Sequence, residues 1–214
     1  PYLVHELDSG EDFIRIGNRN DIRKYLPHVV TERTHGVNEY WGSLAICTDR
    51  GEALIHSLVG STGNSEDVTY WPHLVYEIPF PADFLGEDAG FLEISCRETD
   101  SPVPKLFLRF FHKMEKYSPS KENIENTPLC YRTDRPETAK RILQPQLIQN
   151  LLQYYRESSS KDTMVLTQNK LFIITDESTL ALEHRKWRRY SPDLFTENAF
   201  GVCRRFRLGM KLLE

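Results

Sequence analysis

Trp41-Gly42-Ser43-Leu44-Ala45-Ile46-Cys47-Thr48, then Asp49-Arg50-Gly51, then Glu52-Ala53-Leu54-Ile55-His56-Ser57-Leu58-Val59 is a strand-forming run broken once by turn residues. Asp and Gly adopt turn conformations that β-branched residues resist, so the run reads as a β-hairpin. Working outward, residues 74–78 and 91–96 alternate apolar and polar side chains, as half-buried strands do, and Pro79 and Pro81 end the former. Upstream, Phe13-Ile14-Arg15-Ile16 reads as a short strand closed by Gly17, and Asn20-Asp21 caps a brief helix over 22–26 that Pro27 cuts off. The first half is therefore predicted to be sheet with short helical interruptions.

Beyond residue 99 the pattern changes. Pro102, Pro104, Pro119 and Pro128 punctuate a stretch in which Phe107, Phe110, Phe111 and Met114 keep helical spacing, predicting a helix over 106–117 and a loop over 118–128. Asp134 and Glu137 stand three apart, as in a capping box, with Pro136 in the first turn. Leu143, Leu147, Leu151 and Tyr155 then recur every four residues around Pro145. An interior proline costs a helix about 3 kcal/mol, so the expectation is one long kinked helix over 135–157, or two joined at Gln144. A hairpin over 163–175 follows, and the tail from Thr179 is helical or irregular. The predicted class is α+β, mainly antiparallel sheet. Residues 1–214 read as one domain, with a possible division into 1–117 and 128–214.

Charge divides the same way. Residues 1–103 hold 18 Asp/Glu against 7 Lys/Arg, and residues 104–214 hold 13 against 20. Such asymmetry bears on partners rather than on fold. No apolar run approaches the ~18 residues that span a bilayer, and residues 1–6 have neither the basic nor the apolar region of a signal peptide. Cys47, Cys96, Cys130 and Cys203 are widely separated. They read as buried free thiols in a reducing cytoplasm, so the expected location is cytoplasmic.

Residues 130–134, Cys130-Tyr131-Arg132-Thr133-Asp134, lead into Ala139-Lys140-Arg141-Ile142-Leu143, Pro145, Leu147-Ile148 and Leu151-Leu152. This pattern resembles the shared part of an uncharacterised bacterial family whose soluble domain often follows membrane-spanning helices. In that family a strand ending in Ser/Thr-Asp precedes a leucine-rich helix and two apolar strands. The resemblance covers 129–175. It implies a cytoplasmic domain, tethered by a membrane segment upstream of Pro1, and brings no catalytic residues with it.

The strongest surface signal is the run His184, Arg185, Lys186, Trp187, Arg188, Arg189 and Tyr190, echoed by Arg204, Arg205, Phe206 and Arg207. Guanidinium forks bind phosphate bidentately, and aromatic rings between them stack on bases or sit among headgroups. The alternative is a solvated helix face paired with the acidic half. Gly60, Ser61, Thr62, Gly63, Asn64 and Ser65 lack the lysine of a phosphate loop and precede Glu66 and Asp67, so a hairpin or connecting loop is expected there. No histidines stand at metal-ligand spacing, and neither a metal nor a cofactor is expected. His35, with Glu32 and Glu39 nearby, is the one spot resembling an acid–base cluster. Glu77 and Glu93 lie mid-strand among apolar neighbours, without the following lysine a nuclease-like metal site would want. The expected function is a non-enzymatic interaction module that binds a protein partner or anionic membrane surface through the basic C-terminal half. The alternatives are a hydrolase working at His35 and a single-stranded nucleic-acid binder.

Overall fold

Strands β1 (Glu39–Thr48) and β2 (Gly51–Asn64) form the predicted hairpin, and Gly51 at φ 117° makes its turn. β2 then runs on through Gly60 and Gly63 and returns antiparallel as β3 (Asp67–Pro79). The glycine-rich stretch is thus the far end of a long hairpin. The computed structural model describes residues 19–64, 67–80, 90–96, 115–117, 129–158, 162–175 and 192–212, and the fold below is that of these residues. The predicted strand at 13–16 and loop at 118–128 lie outside them.

Two short helices, α1 (Arg19–Tyr25) and α2 (His28–Arg33), precede the sheet; Pro27 stops the first as expected, but Asn20 and Asp21 lie inside α1 instead of capping it, and α2 was not anticipated. After β3 come β4 (Leu92–Cys96), β5 (Glu115–Tyr117), β6 (Leu129–Thr133), α3 (Pro136–Ile142), α4 (Pro145–Ser158), β7 (Thr163–Leu166), β8 (Lys170–Ile174) and α5 (Pro192–Lys211). The eight strands form one sheet in the order β1-β2-β3-β8-β7-β4-β6-β5, and every pairing is antiparallel. Strands from the acidic and basic halves are interleaved, since β3 pairs with β8 and β4 lies between β7 and β6.

Strand alternation sends side chains to two different cores. Leu58, Val75, Val165, Phe172 and Ile174 meet Ile22, Leu26, Val29 and Val30 of the α1–α2 side. Tyr76, Ile78, Ile94, Met164, Leu166 and Ile173 meet Ala139, Ile142, Leu147, Ile148, Leu151, Leu208 and Leu212 from α3, α4 and α5. Each such side chain contributes roughly 1.5–3 kcal/mol on burial. Because helices cover both faces, β7 is buried at every position and β8 at all but Lys170. These two short apolar strands sit at the centre of the sheet.

Four expectations are corrected. The single kinked helix is not formed; the two-helix alternative is, with α3 and α4 parted at Leu143 and Gln144. Pro145 opens α4, because its ring would clash with the Arg141 carbonyl of a continuous helix and the residue before it resists the helical region. Asp134 does not cap α3: Arg135 occupies the cap position, and Asp134 Oδ1 instead accepts the Phe91 N–H at 2.7 Å. At 106–117, the described residues Glu115–Tyr117 form β5, paired with β6, rather than helix. Cys47 and Cys203 are exposed and Cys130 is half-buried, all three as free thiols, where burial was expected. No described helix is long and apolar enough to cross a membrane.

Candidate functional site

The meander β1–β2–β3 and its neighbour β8 carry a row of polar side chains under α1. Ser43 on β1 stands directly across from His56 on β2. Glu77 of β3 faces Leu54, two residues along β2 from His56, and Lys170 of β8 faces Pro79, two along β3 from Glu77. Diagonal neighbours on one face of a sheet lie within reach of long side chains. The register alone therefore aligns Ser43, His56, Glu77 and Lys170, and Tyr25 at the end of α1 closes over them.

The row is continuously hydrogen-bonded. Glu77 Oε1 accepts from the Tyr25 hydroxyl at 2.6 Å and from Lys170 Nζ at 2.5 Å, and Oε2 lies 3.0 Å from His56 Nε2. His56 Nδ1 is 2.6 Å from Ser43 Oγ, which is 2.5 Å from the Tyr40 hydroxyl. The Tyr25 ring stands edge-on to the His56 ring at 5.9 Å and under Lys170 Nζ at 5.0 Å. Burial alone would raise the Glu77 carboxyl, but its bonds from His56, Lys170 and Tyr25 outweigh that and hold it below the usual range. Lys170 is pushed up, burial being overcome by its bonds to Glu77 and Tyr25. Tyr25 is raised to about 12 by burial and by the adjacent carboxylate.

The contacts are compatible with one consistent set of proton positions. In the tautomer that donates Nε2–H to Glu77, His56 presents its Nδ1 lone pair to Ser43. Ser43 donates its one proton there, and the Tyr40 hydroxyl, raised by burial and so protonated, donates to Ser43 Oγ. In that tautomer the hydrogen bonds point one way, from the half-buried Tyr40 to the buried Glu77.

Glu93 repeats the device further along the same face. It is buried, takes both Arg33 Nε at 2.8 Å and Arg33 NH2, and has Arg132 NH1 at 3.8 Å. One glutamate anchors α1 and the other anchors α2.

The predicted site residues lie elsewhere. Arg185, Lys186, Trp187, Arg188 and Arg189 fall outside the described residues. On α5, Arg204 and Arg207 are exposed, and Arg204 donates to the Glu157 carbonyl. Arg205 is buried instead, its Nε 3.1 Å from Asp162 Oδ2, which also accepts the Tyr154 hydroxyl at 2.6 Å. Asp162 is fully buried at the head of β7, and Arg205 shares the inward face of α5 with Leu208 and Leu212. Arg205 therefore belongs to the interior and not to a docking face.

His35 follows α2 at φ 56° and packs against the rings of Trp71 at 5.5 Å and His73 at 5.7 Å, while Glu32 pairs with His28 at 3.1 Å. The described residues hold no cluster of His, Cys, Asp and Glu suited to a metal ion.

The outer end of the meander is exposed. Leu44, Val68, Tyr70 and Trp71 are 59%, 40%, 59% and 42% accessible, the highest among the large apolar residues described. Among the described residues β1 has a strand neighbour on one side only. Its ten residues carry one charge, Glu39. Glu39, Asp49, Glu52 and Asp67 around it are exposed, whereas Arg50 turns away to donate to the Met210 carbonyl at 3.1 Å.

Comparison with protein-family models, with curated proteins and with solved structures found no match.

Proposed function

We propose that the chain is a protein-interaction module whose edge strand β1 receives an extended, cationic segment of a partner protein. The carrying observation is the edge of β1, which among the described residues has no second strand beside it. Natural edge strands are blunted by lysine, proline, bulges or brevity; β1 has ten residues with neither lysine nor proline, and its one bulge, between Tyr40 and Gly42, leaves 43–48 regularly paired. A partner strand would satisfy its outward N–H and C=O groups, the mode known as strand addition. Exposed Leu44 and the apolar side chains of the adjoining hairpin end offer contact area beside that edge. The acidic rim at Glu39, Asp49, Glu52 and Asp67 selects for positive charge and raises the association rate with a basic segment.

The test uses a labelled peptide of alternating lysine and valine and the same peptide interrupted by proline, with binding read by fluorescence anisotropy. Saturable binding of the first and about tenfold weaker binding to the Glu39→Lys, Leu44→Lys double variant is expected. Equal binding of both peptides, or none, removes the reading.

An anionic partner or membrane surface on the basic half is the second reading, favoured by the exposure of Arg204 and Arg207 on α5. It fits the resemblance of residues 129–175 to membrane-tethered domains. Retention on acidic vesicles that is unchanged by Arg204→Ala, Arg207→Ala would count against it.

A further inference from the structure

We infer that Ser43 is an activated nucleophile, with His56 as its general base and Glu77 as the positioning carboxylate, acting on a carboxylic ester. Ser43 Oγ lies 2.6 Å from His56 Nδ1, and His56 Nε2 lies 3.0 Å from Glu77 Oε2. Hydroxyl, imidazole and carboxylate in series is an arrangement that acyl-transfer enzymes reach on unrelated folds. Here Nδ1 rather than Nε2 faces the serine. The chemistry requires only that the nitrogen facing the hydroxyl be free of a proton and the other be held by an anion.

Accessibility is graded along the row. Ser43 is exposed, while His56 is 0% and Glu77 2% accessible, so substrate can meet the nucleophile and the base stays shielded. Lys170 and Tyr25 engage the second oxygen of Glu77, which fixes the carboxylate toward His56. The Tyr40 hydroxyl, 2.5 Å from Ser43 Oγ, is a donor beside the reacting oxygen.

In the step, the Ser43 hydroxyl proton passes to His56 Nδ1 as Oγ bonds to the ester carbonyl carbon. The carbonyl π pair moves onto its oxygen, where Tyr40 can donate. On collapse the carbon–alkoxide bond breaks and His56 Nδ1–H protonates the departing alkoxide. Water then cleaves the acyl-serine by the same proton route, leaving acid, alcohol and the starting enzyme. An ester is the matching class because a departing alkoxide needs less assistance than an amine, and Tyr40 is the single side-chain donor bonded to Ser43 among the described residues.

The full chain is treated with a fluorophosphonate and the adduct is mapped by mass spectrometry; p-nitrophenyl acetate hydrolysis is followed separately. Labelling at Ser43 is expected at least about 100-fold faster in the folded chain than in the urea-unfolded chain. Ser43→Ala, at an exposed position, should fold and lose both signals. Glu77→Gln, checked for folding by circular dichroism, should slow labelling about tenfold or more and move its acid limb to lower pH, a shift a merely structural glutamate would not cause. Equal labelling of folded and unfolded chains, or unchanged ester hydrolysis in Ser43→Ala, overturns the inference. An unmoved acid limb overturns the role of Glu77. None of these outcomes depends on strand capture at the β1 edge.

Discussion

Glu77 gathers three hydrogen-bond partners on one buried carboxylate. It was visible in the sequence as a charge at a strand position with apolar neighbours, which signals either a sheet face open to water or a buried anion with partners. The strands decide for burial because helices cover both faces. The partners could not be read, since His56, Tyr25 and Lys170 lie 21, 52 and 93 residues away. Glu77→Ala should cost about 3 kcal/mol, the lower end for breaking a buried pair, because half-exposed Lys170 can turn to water whereas His56 cannot. Urea unfolding measures it. Glu77 is depressed below its usual value of 4.5, so its stabilisation is present above that value and is lost as pH falls through the lowered one. His73 adds a loss at higher pH. Burial depresses it below 6.5 despite the bond to the Thr175 carbonyl, so the unfolded chain takes up a proton first as pH falls past 6.5. His73→Gln should flatten the decline in stability between 6.5 and the carboxylate range, and Glu77→Gln should leave that part intact.

At the scale of elements, turn chemistry was the most legible part of the sequence. The Asp49-Arg50-Gly51 turn, the helix stop at Pro27 and the break at Pro145 follow from residue types alone. The capping box failed because Asp134 had a long-range alternative in the Phe91 N–H, 43 residues away. Close approach of elements was equally hidden. Gly60 lies where α2 and its following turn press on β2: an added Cβ would sit 1.7 Å from the Thr34 carbonyl oxygen and 2.8 Å from that of Gly36. Gly209 of α5 has the ends of the Ile78 and Ile173 side chains 2.6 Å from its would-be Cβ. Backbone cannot yield as side-chain tips can. Gly60→Ala should therefore cost about 3 kcal/mol or more. Gly209→Ala should stay within about 1 kcal/mol, since alanine's helix preference offsets the repacking. Thermal melts of the two variants compare them directly.

For the whole molecule, the charge asymmetry along the chain does not become two separate sheets. β8, from the basic half, pairs with β3 of the acidic half, and the order of eight strands was not predictable from local pattern because its pairings join residues about a hundred positions apart, as Val75 and Ile174. What does survive is an acidic outer meander ending at β1, which carries no lysine or proline and among the described residues has one strand neighbour. Clustered charge such as the basic run at 184–190 is conspicuous in a sequence, whereas an edge strand is defined only by strand order. Amide hydrogen exchange over Glu39–Thr48, with and without the alternating lysine–valine peptide, tests that edge most directly. Alternate β1 amides should exchange rapidly in the free chain and become protected when the peptide is added; protection already complete without it, or unchanged by it, rules out strand capture at β1.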